Sequence, residues 1–219
     1  MNSAKFFPAT SMPDRDWWEV LWPDPEGILR SLGIGPDMVV VDMCCGDGYF
    51  TAPLARLVEG NVYGVDIDPA MLDRTRTELE RAGTTVLGLI CGNALNLPAL
   101  LPRKVDYVLI ANTFHGVPEK TALARAVATI LNPGGQFAIV NWYPLPREST
   151  VILDKPRGPR TEIRMSPDDV KSAVEPAGFR LDRIVGLPPF HYGAIFRLVE
   201  NADLSVNCKD TILRWRHRL

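Results

Sequence analysis

Cysteine is scarce and badly spaced in this 219-residue chain: Cys44 and Cys45 adjoin and are poorly placed to bridge each other, while Cys91 and Cys208 stand alone. No C-x-x-C pair, zinc-ligand spacing or disulfide framework results. The three histidines, His115, His191 and His217, occur without an H-E-x-x-H pattern, so no catalytic metal is expected. Long apolar runs are missing too. Nothing approaches the roughly 18 uninterrupted apolar residues of a membrane span, and the opening Met-Asn-Ser-Ala-Lys-Phe-Phe-Pro lacks the apolar centre of a signal peptide. A cytoplasmic protein with no membrane span is the expectation. Charge of one sign is also absent: 24 Lys and Arg stand against 26 Asp and Glu, a net −2. No global field would draw the chain onto nucleic acid or an acidic membrane. No fixed-period repeat is present.

What the chain does have is ordinary globular material, 46% hydrophobic and 23% charged, in a length that suits one domain. Residues 38–142 alternate short β-branched runs with helical patterns, the mark of βα units and a mostly parallel sheet. Strands are expected at 38–42, 61–66, 85–91, 105–111 and 135–142, each buried on both faces. Asp68 and Pro69 open a helix that Gly83 stops, and Pro118 opens another that Asn132-Pro133-Gly134-Gly135 ends in a turn. Residues 143–165, rich in Pro and Arg, predict an excursion from the sheet. A helix from Ser166 to about 177 and an antiparallel strand pair at 179–187 and 192–200 follow. The expected organisation is therefore one domain over 1–219: an N-terminal helical cover (1–37), a core (38–142), the excursion (143–165), a final helix and strand pair (166–200) and a tail (201–219).

The segment that carries chemistry is Val39-Val40-Val41-Asp42-Met43-Cys44-Cys45-Gly46-Asp47-Gly48-Tyr49-Phe50-Thr51. A buried strand ends in an acid, a small-residue turn follows, and a helix is expected to begin near Gly48. Gly46 and Gly48 let backbone approach a ligand, and a helix N-terminus favours a negative group. Asp66, at the end of the second strand, offers a carboxylate to ribose hydroxyls, so the pattern reads as a nucleoside site. Thr51 stands where a dinucleotide fingerprint needs its third Gly, and no phosphate-binding G-x-x-x-x-G-K-[ST] occurs.

Jointly with Gly92-Asn93-Ala94-Leu95-Asn96-Leu97-Pro98 after the third strand, the fourth strand, and Leu131-Asn132-Pro133-Gly134-Gly135 before the fifth, these residues resemble class I S-adenosylmethionine (SAM) dependent methyltransferases. The glycine loop and the stretch after the third strand are similar to the ubiquinone and menaquinone biosynthesis methyltransferases. The resemblance implies a Rossmann-like α/β sandwich with a seven-stranded, mostly parallel sheet. It also implies SAM as cofactor, with S-adenosylhomocysteine as product. Asp42 would hold the amino end, and Cys44, Gly46 and Gly48 would form the cradle. Asp66 would bind the ribose, Ile67, Asn93 and Ala94 would meet the adenine, and Asn112 would line the methionine end. Cys44 replaces the family's usual Gly, and Asn93 its more usual Asp.

His115 is the candidate general base for an in-line methyl transfer; the plainer alternative is a hydrogen-bonding role in the loop. Trp17, Trp18, Trp22, His191 and Tyr192 are candidate acceptor-binding residues, and the three tryptophans equally suit a purely anchoring role. The excursion carries Arg147, Lys155, Arg157, Arg160 and Arg164 against Glu148, Asp154 and Glu162, a surplus that suits either an anionic acceptor or a solvated loop. A small-molecule methyl acceptor is the first expectation. An RNA or protein methyltransferase is the second, although the loop after strand four lacks an Asn/Asp-Pro-Pro-aromatic motif and only the Arg214-Trp215-Arg216-His217-Arg218 tail suggests nucleic acid. A non-catalytic SAM- or partner-binding protein is the third. The sequence is silent on oligomeric state.

Overall fold

The computed structural model describes residues 15–199; Cys208, His217 and the basic tail lie outside them. Seven strands form one sheet: β1 (Val40–Met43), β2 (Val62–Asp66), β3 (Gly88–Cys91), β4 (Val105–Ala111), β5 (Leu131–Trp142), β8 (Phe179–Leu187) and β9 (His191–Leu198), in the order β3-β2-β1-β4-β5-β9-β8. All neighbours from β3 to β5 run parallel, whereas β9 lies antiparallel to both β5 and β8. β6 (Val151–Ile152) and β7 (Lys155–Pro156) make a separate small hairpin within the excursion.

Alternation along the strands sorts the core into two layers, because successive side chains point to opposite faces. Val40, Tyr107, Leu109, Ala138, Val140 and Trp142 face α1 (Arg15–Leu21), α2 (Pro25–Ser31), α3 (Thr51–Leu57) and α4 (Pro69–Ala82). Val41, Met43, Val108, Ile110, Phe137 and Ile139 face α5 (Leu97–Leu100), α6 (Lys120–Ile130) and α7 (Pro167–Val174). Burial of each such side chain contributes about 1.5–3 kcal/mol, which fixes the register of every strand and with it the row of strand ends that carries the site. Among the described residues no helix is long and apolar enough to cross a membrane.

Local signals explain the helices that match expectation. Asp68 accepts from the Ala70 N–H and Pro69 occupies the first turn of α4, while Gly83 closes it at φ +62°. Ser166 and Asp169 cap α7 reciprocally. Four expectations need correction. β3 is not buried on both faces: Cys91 is exposed and its neighbours half-buried, since the strand lies at the sheet edge. α3 starts at Thr51 rather than near Gly48, because Gly46 and Gly48 hold the loop at φ +58° and +85°. α6 starts at Lys120, two residues after Pro118. Residues 132–135 do not end the helix in a separate turn but form an irregular opening to β5, where the pairing with β4 shifts register.

Candidate functional site

The carboxyl ends of β1, β2, β4 and β5 meet along one side of the sheet, where ligands of open α/β sheets gather. Asp42, near the end of β1, is 2% exposed and accepts a 2.6 Å hydrogen bond from Thr51 Oγ1. Burial lifts its pKa to about 6; the Thr51 bond opposes this, and the Asp66 and Asp47 charges add to it. The turn then leaves the strand through Cys44 at φ +62°. That left-handed conformation costs a residue with a Cβ about 1–2 kcal/mol, which explains physically why Gly is the usual occupant. At Gly48 an added Cβ would meet Thr75 Cα at 3.0 Å, so only glycine fits both the dihedral and the packing.

Asp66 ties the second strand end to this turn. Its Oδ2 accepts from the Gly46 N–H and its Oδ1 from the Asp68 N–H, each at 2.9 Å. Each oxygen retains acceptor capacity. The Asp66 carbonyl accepts from the Gly92 N–H at 2.9 Å, and Cys91 Sγ reaches the Ile67 carbonyl at 3.7 Å. Ile67 and Asn93 are thereby brought near Asp66, both half-buried, with Ala94 buried behind. Asn93 spends its Oδ1 on the Leu95 N–H, capping the short 3-10 turn Ala94–Asn96; its amide nitrogen is the part left to face a ligand. Cys44 and Cys45 remain neutral thiols, pushed up by burial and by the Asp42 and Asp66 carboxylates.

At the end of β4, Asn112 adopts φ +57°, and its Oδ1 is buried without a partner. His115 follows in the 3-10 turn Phe114–Gly116, buried, with Nδ1 3.2 Å from Asn141 Oδ1 on β5 and Nε2 unpartnered. Burial holds its pKa below the usual imidazole value; the Asn141 bond opposes this, and Lys120 and Arg164 reinforce it.

The predicted acceptor residues divide between the two faces. His191 lies on the α1 side, fully buried, with its ring centroid 4.0 Å from Trp142, 4.6 Å from Trp22 and 6.1 Å from Trp18. Neither ring nitrogen has a partner, and burial pushes its pKa well down. Trp17 stacks on Trp18 at 4.5 Å, and Trp22 Nε1 donates to the Pro188 carbonyl. Tyr192, the next residue, points to the opposite face and donates to the Met165 carbonyl at 2.8 Å. The expected grouping of His191 with Tyr192 therefore does not form.

Sequence reasoning missed Asn141, Trp142, Tyr49 and Arg15 as participants, and the place of Arg164. Asn141 was detectable as a lone amide in the apolar run Phe137–Trp142 region of β5, and Trp142 as the aromatic that ends it. Tyr49 donates from its hydroxyl to the Trp18 and Trp22 carbonyls, and Arg15 pairs with Asp47 and Glu78, so the glycine loop holds α1 in place. Arg164 is buried over the Trp142 ring at 5.0 Å, with its N–H groups on the Leu145, Arg157 and Pro159 carbonyls and Thr150 Oγ1. Much of the excursion's basic surplus thus organises the segment itself. A cleft of about 260 Å³ there is lined by Arg147 and Arg160 but also by Glu148 and Glu162.

The family model for a methyltransferase domain matches residues 40–135. A demethylmenaquinone methyltransferase of Listeria welshimeri is 34% identical over 104 residues, covering 47% of this chain and 44% of that protein. The Geobacillus stearothermophilus demethylmenaquinone methyltransferase is 31% identical over 110 residues, 49% of this chain and 47% of that one. The chain thus spans less than half the length of the curated relatives it matches. Among solved structures, a SAM-dependent methyltransferase from Aquifex aeolicus superposes with a TM-score of 0.70 at 22% identity, covering 86% of this chain and all of that one. Magnesium protoporphyrin IX methyltransferase from Synechocystis, solved with bound SAM, gives 0.59 at 17% identity over 84% of this chain and 80% of that one. At these identities the structural likeness is one of fold.

Proposed function

We propose that residues 40–135, which match the family model for a methyltransferase domain, bind SAM as a class I methyltransferase does, and that the chain transfers the methyl group of SAM to a small-molecule acceptor. The observation that carries the reading is the Asp66 carboxylate, bonded to the Gly46 N–H while keeping acceptor capacity on both oxygens. A diol needs two such acceptors side by side. The positive-φ glycines beside it and the orphaned Asn112 Oδ1 suit the rest of the cofactor. Asp42, Cys44, Gly46 and Gly48 would hold its methionine and ribose portion with Asn112, and Asp66, Ile67, Asn93 and Ala94 its nucleoside. When bound, SAM supplies a methyl carbon activated by a sulfonium leaving group.

The chain's own residues would align the acceptor and exclude water. Trp17, Trp18 and Trp22 on and beside α1 cover the Trp142–His191 cluster with apolar surface. His115 stands at the end of β4 as a neutral imidazole able to accept a proton. The curated relatives are named for demethylmenaquinone, a small molecule, but they share only the cofactor-side part of this chain. The acceptor is accordingly assigned no more finely than that.

Calorimetry with S-adenosylhomocysteine tests the cofactor assignment: binding is expected, weakened at least ten-fold in Asp66→Ala, and unchanged affinity in that variant would sink the ribose assignment. Methyl-labelled SAM incubated with fractionated metabolites, RNA and protein tests the acceptor class. Label is expected in a metabolite fraction. Label confined to RNA or protein would overturn the small-molecule reading, and cofactor binding without label in any fraction would favour a non-catalytic role.

A further inference from the structure

His115, in the turn after β4, and Asn141, on β5, meet across 26 residues of sequence, and both are buried. The atom of Asn141 that faces the ring is Oδ1, which only accepts. Nδ1 therefore carries the ring hydrogen and Nε2 a lone pair. One polar atom of the pair is left over, buried without a partner: the Nε2 lone pair of His115. Tyr192, which pairs with Asn141 across the β5–β9 ladder, donates to the Met165 carbonyl, and its oxygen keeps lone-pair capacity toward the Asn141 amide. A lone pair left open in an interior is costly, about 1–3 kcal/mol. A hydroxyl group answers it by donating its hydrogen.

We propose that Asn141 is a positioning residue that fixes the His115 tautomer, presenting Nε2 as proton acceptor for a hydroxyl-bearing methyl acceptor. The inference rests on the methyl-transfer reading above. In the step it describes, the acceptor O–H bond breaks with its electron pair left on the acceptor, where it closes the new bond to the transferred methyl carbon. The proton passes to Nε2, and the pair of the broken S–C bond stays on sulfur. The ionisable groups that act on His115 are Lys120 at the start of α6, Arg164 of the excursion and His191 of β9. None of them is a carboxylate, so the ring stays neutral and able to accept.

Imidazole ¹⁵N–¹H correlation spectra of the full chain read the tautomer independently of turnover, with His115→Gln assigning the signal. The Nδ1–H form is expected, with Asn141→Leu shifting the population toward Nε2–H. Asn141→Asp keeps the acceptor and adds negative charge, so His115 is expected to titrate at higher pH in that variant. Phenol is expected to move the Nε2 resonance and toluene to leave it. With an acceptor fraction that takes label, Asn141→Leu is expected to lower kcat about 100-fold with KM little changed, and Asn141→Asp to move the acid limb of the rate profile upward. An Nε2–H tautomer in the unaltered chain, a titration insensitive to Asn141→Asp, or equal responses to phenol and toluene would overturn the proposal. If Asn141→Leu does not fold, the unaltered chain and Asn141→Asp still decide it. Failure of S-adenosylhomocysteine to bind by calorimetry would instead mark failure of the methyl-transfer reading, and the tautomer spectrum would remain readable.

Discussion

The two halves of the strand-end row treat their polar groups in opposite ways. On the proposed cofactor side the key side chains are bonded within the protein: Asp42 to Thr51, Asp66 to Gly46 and Asp68, Asn93 to Leu95. On the proposed acceptor side, from His115 through His191 to Trp18, buried ring nitrogens stand open. The proposed cofactor half is preformed, its carboxylates oriented by the Thr51 hydroxyl and by backbone N–H groups. The other half is shaped by aromatic packing and leaves its hydrogen bonds for an incoming molecule to complete.

The largest expected effect that would break this contrast concerns Asp42. Its folded pKa of about 6 lies above the ordinary 3.8, so the native state binds more protons than the unfolded chain between those values, and stability falls as pH rises through that window. The cost at neutral pH is up to about 3 kcal/mol. Denaturant titrations are expected to show this decline in the native sequence and to lose it in Asp42→Asn. A second effect sharpens the cofactor side: S-adenosylhomocysteine affinity should weaken several-fold as pH is lowered through about 6, because a protonated Asp42 no longer attracts an ammonium group. Calorimetry at pH 5 and pH 7.5 measures it, and Asp42→Asn should flatten the dependence. The smallest effect belongs to the acceptor side. His191→Phe removes two buried, unpartnered nitrogens while keeping a flat ring among the tryptophans, so it is expected to gain about 1 kcal/mol and raise Tm by about 2–4 °C, while weakening acceptor turnover. A loss of stability in that variant would mean that the imidazole is satisfied after all and that the contrast between the halves is overstated.

How much of this was legible beforehand depended on the distance over which each feature is determined. The boundaries of β4 and β8 follow from the sequence, as do the ends of α4, because strand runs and caps are written within a few residues. The Asp42 to Gly48 turn and Asp66 were likewise legible as a motif. The exposure of β3 was not, since its hydrophobicity matches that of the central strands and only the sheet order puts it at the edge. The pairing of His115 with Asn141 depends on the register of β4 against β5, and the separation of His191 from Tyr192 on which face of β9 turns toward α1. Arg164 was visible only as a charge in a Pro-rich segment; its place over Trp142 comes from the fold of the whole excursion.

Tyr49 sits one residue beyond Gly48, yet its hydroxyl is bonded to the backbone on which Trp18 and Trp22 are mounted. Free energies measured for substitutions in the glycine loop and in the tryptophan cover will therefore not add, even where the altered side chains never touch. The two halves differ in how they are finished, but the Tyr49 phenol and the Arg15–Asp47 pair join them, and a change made to either is felt in the thermodynamics of both.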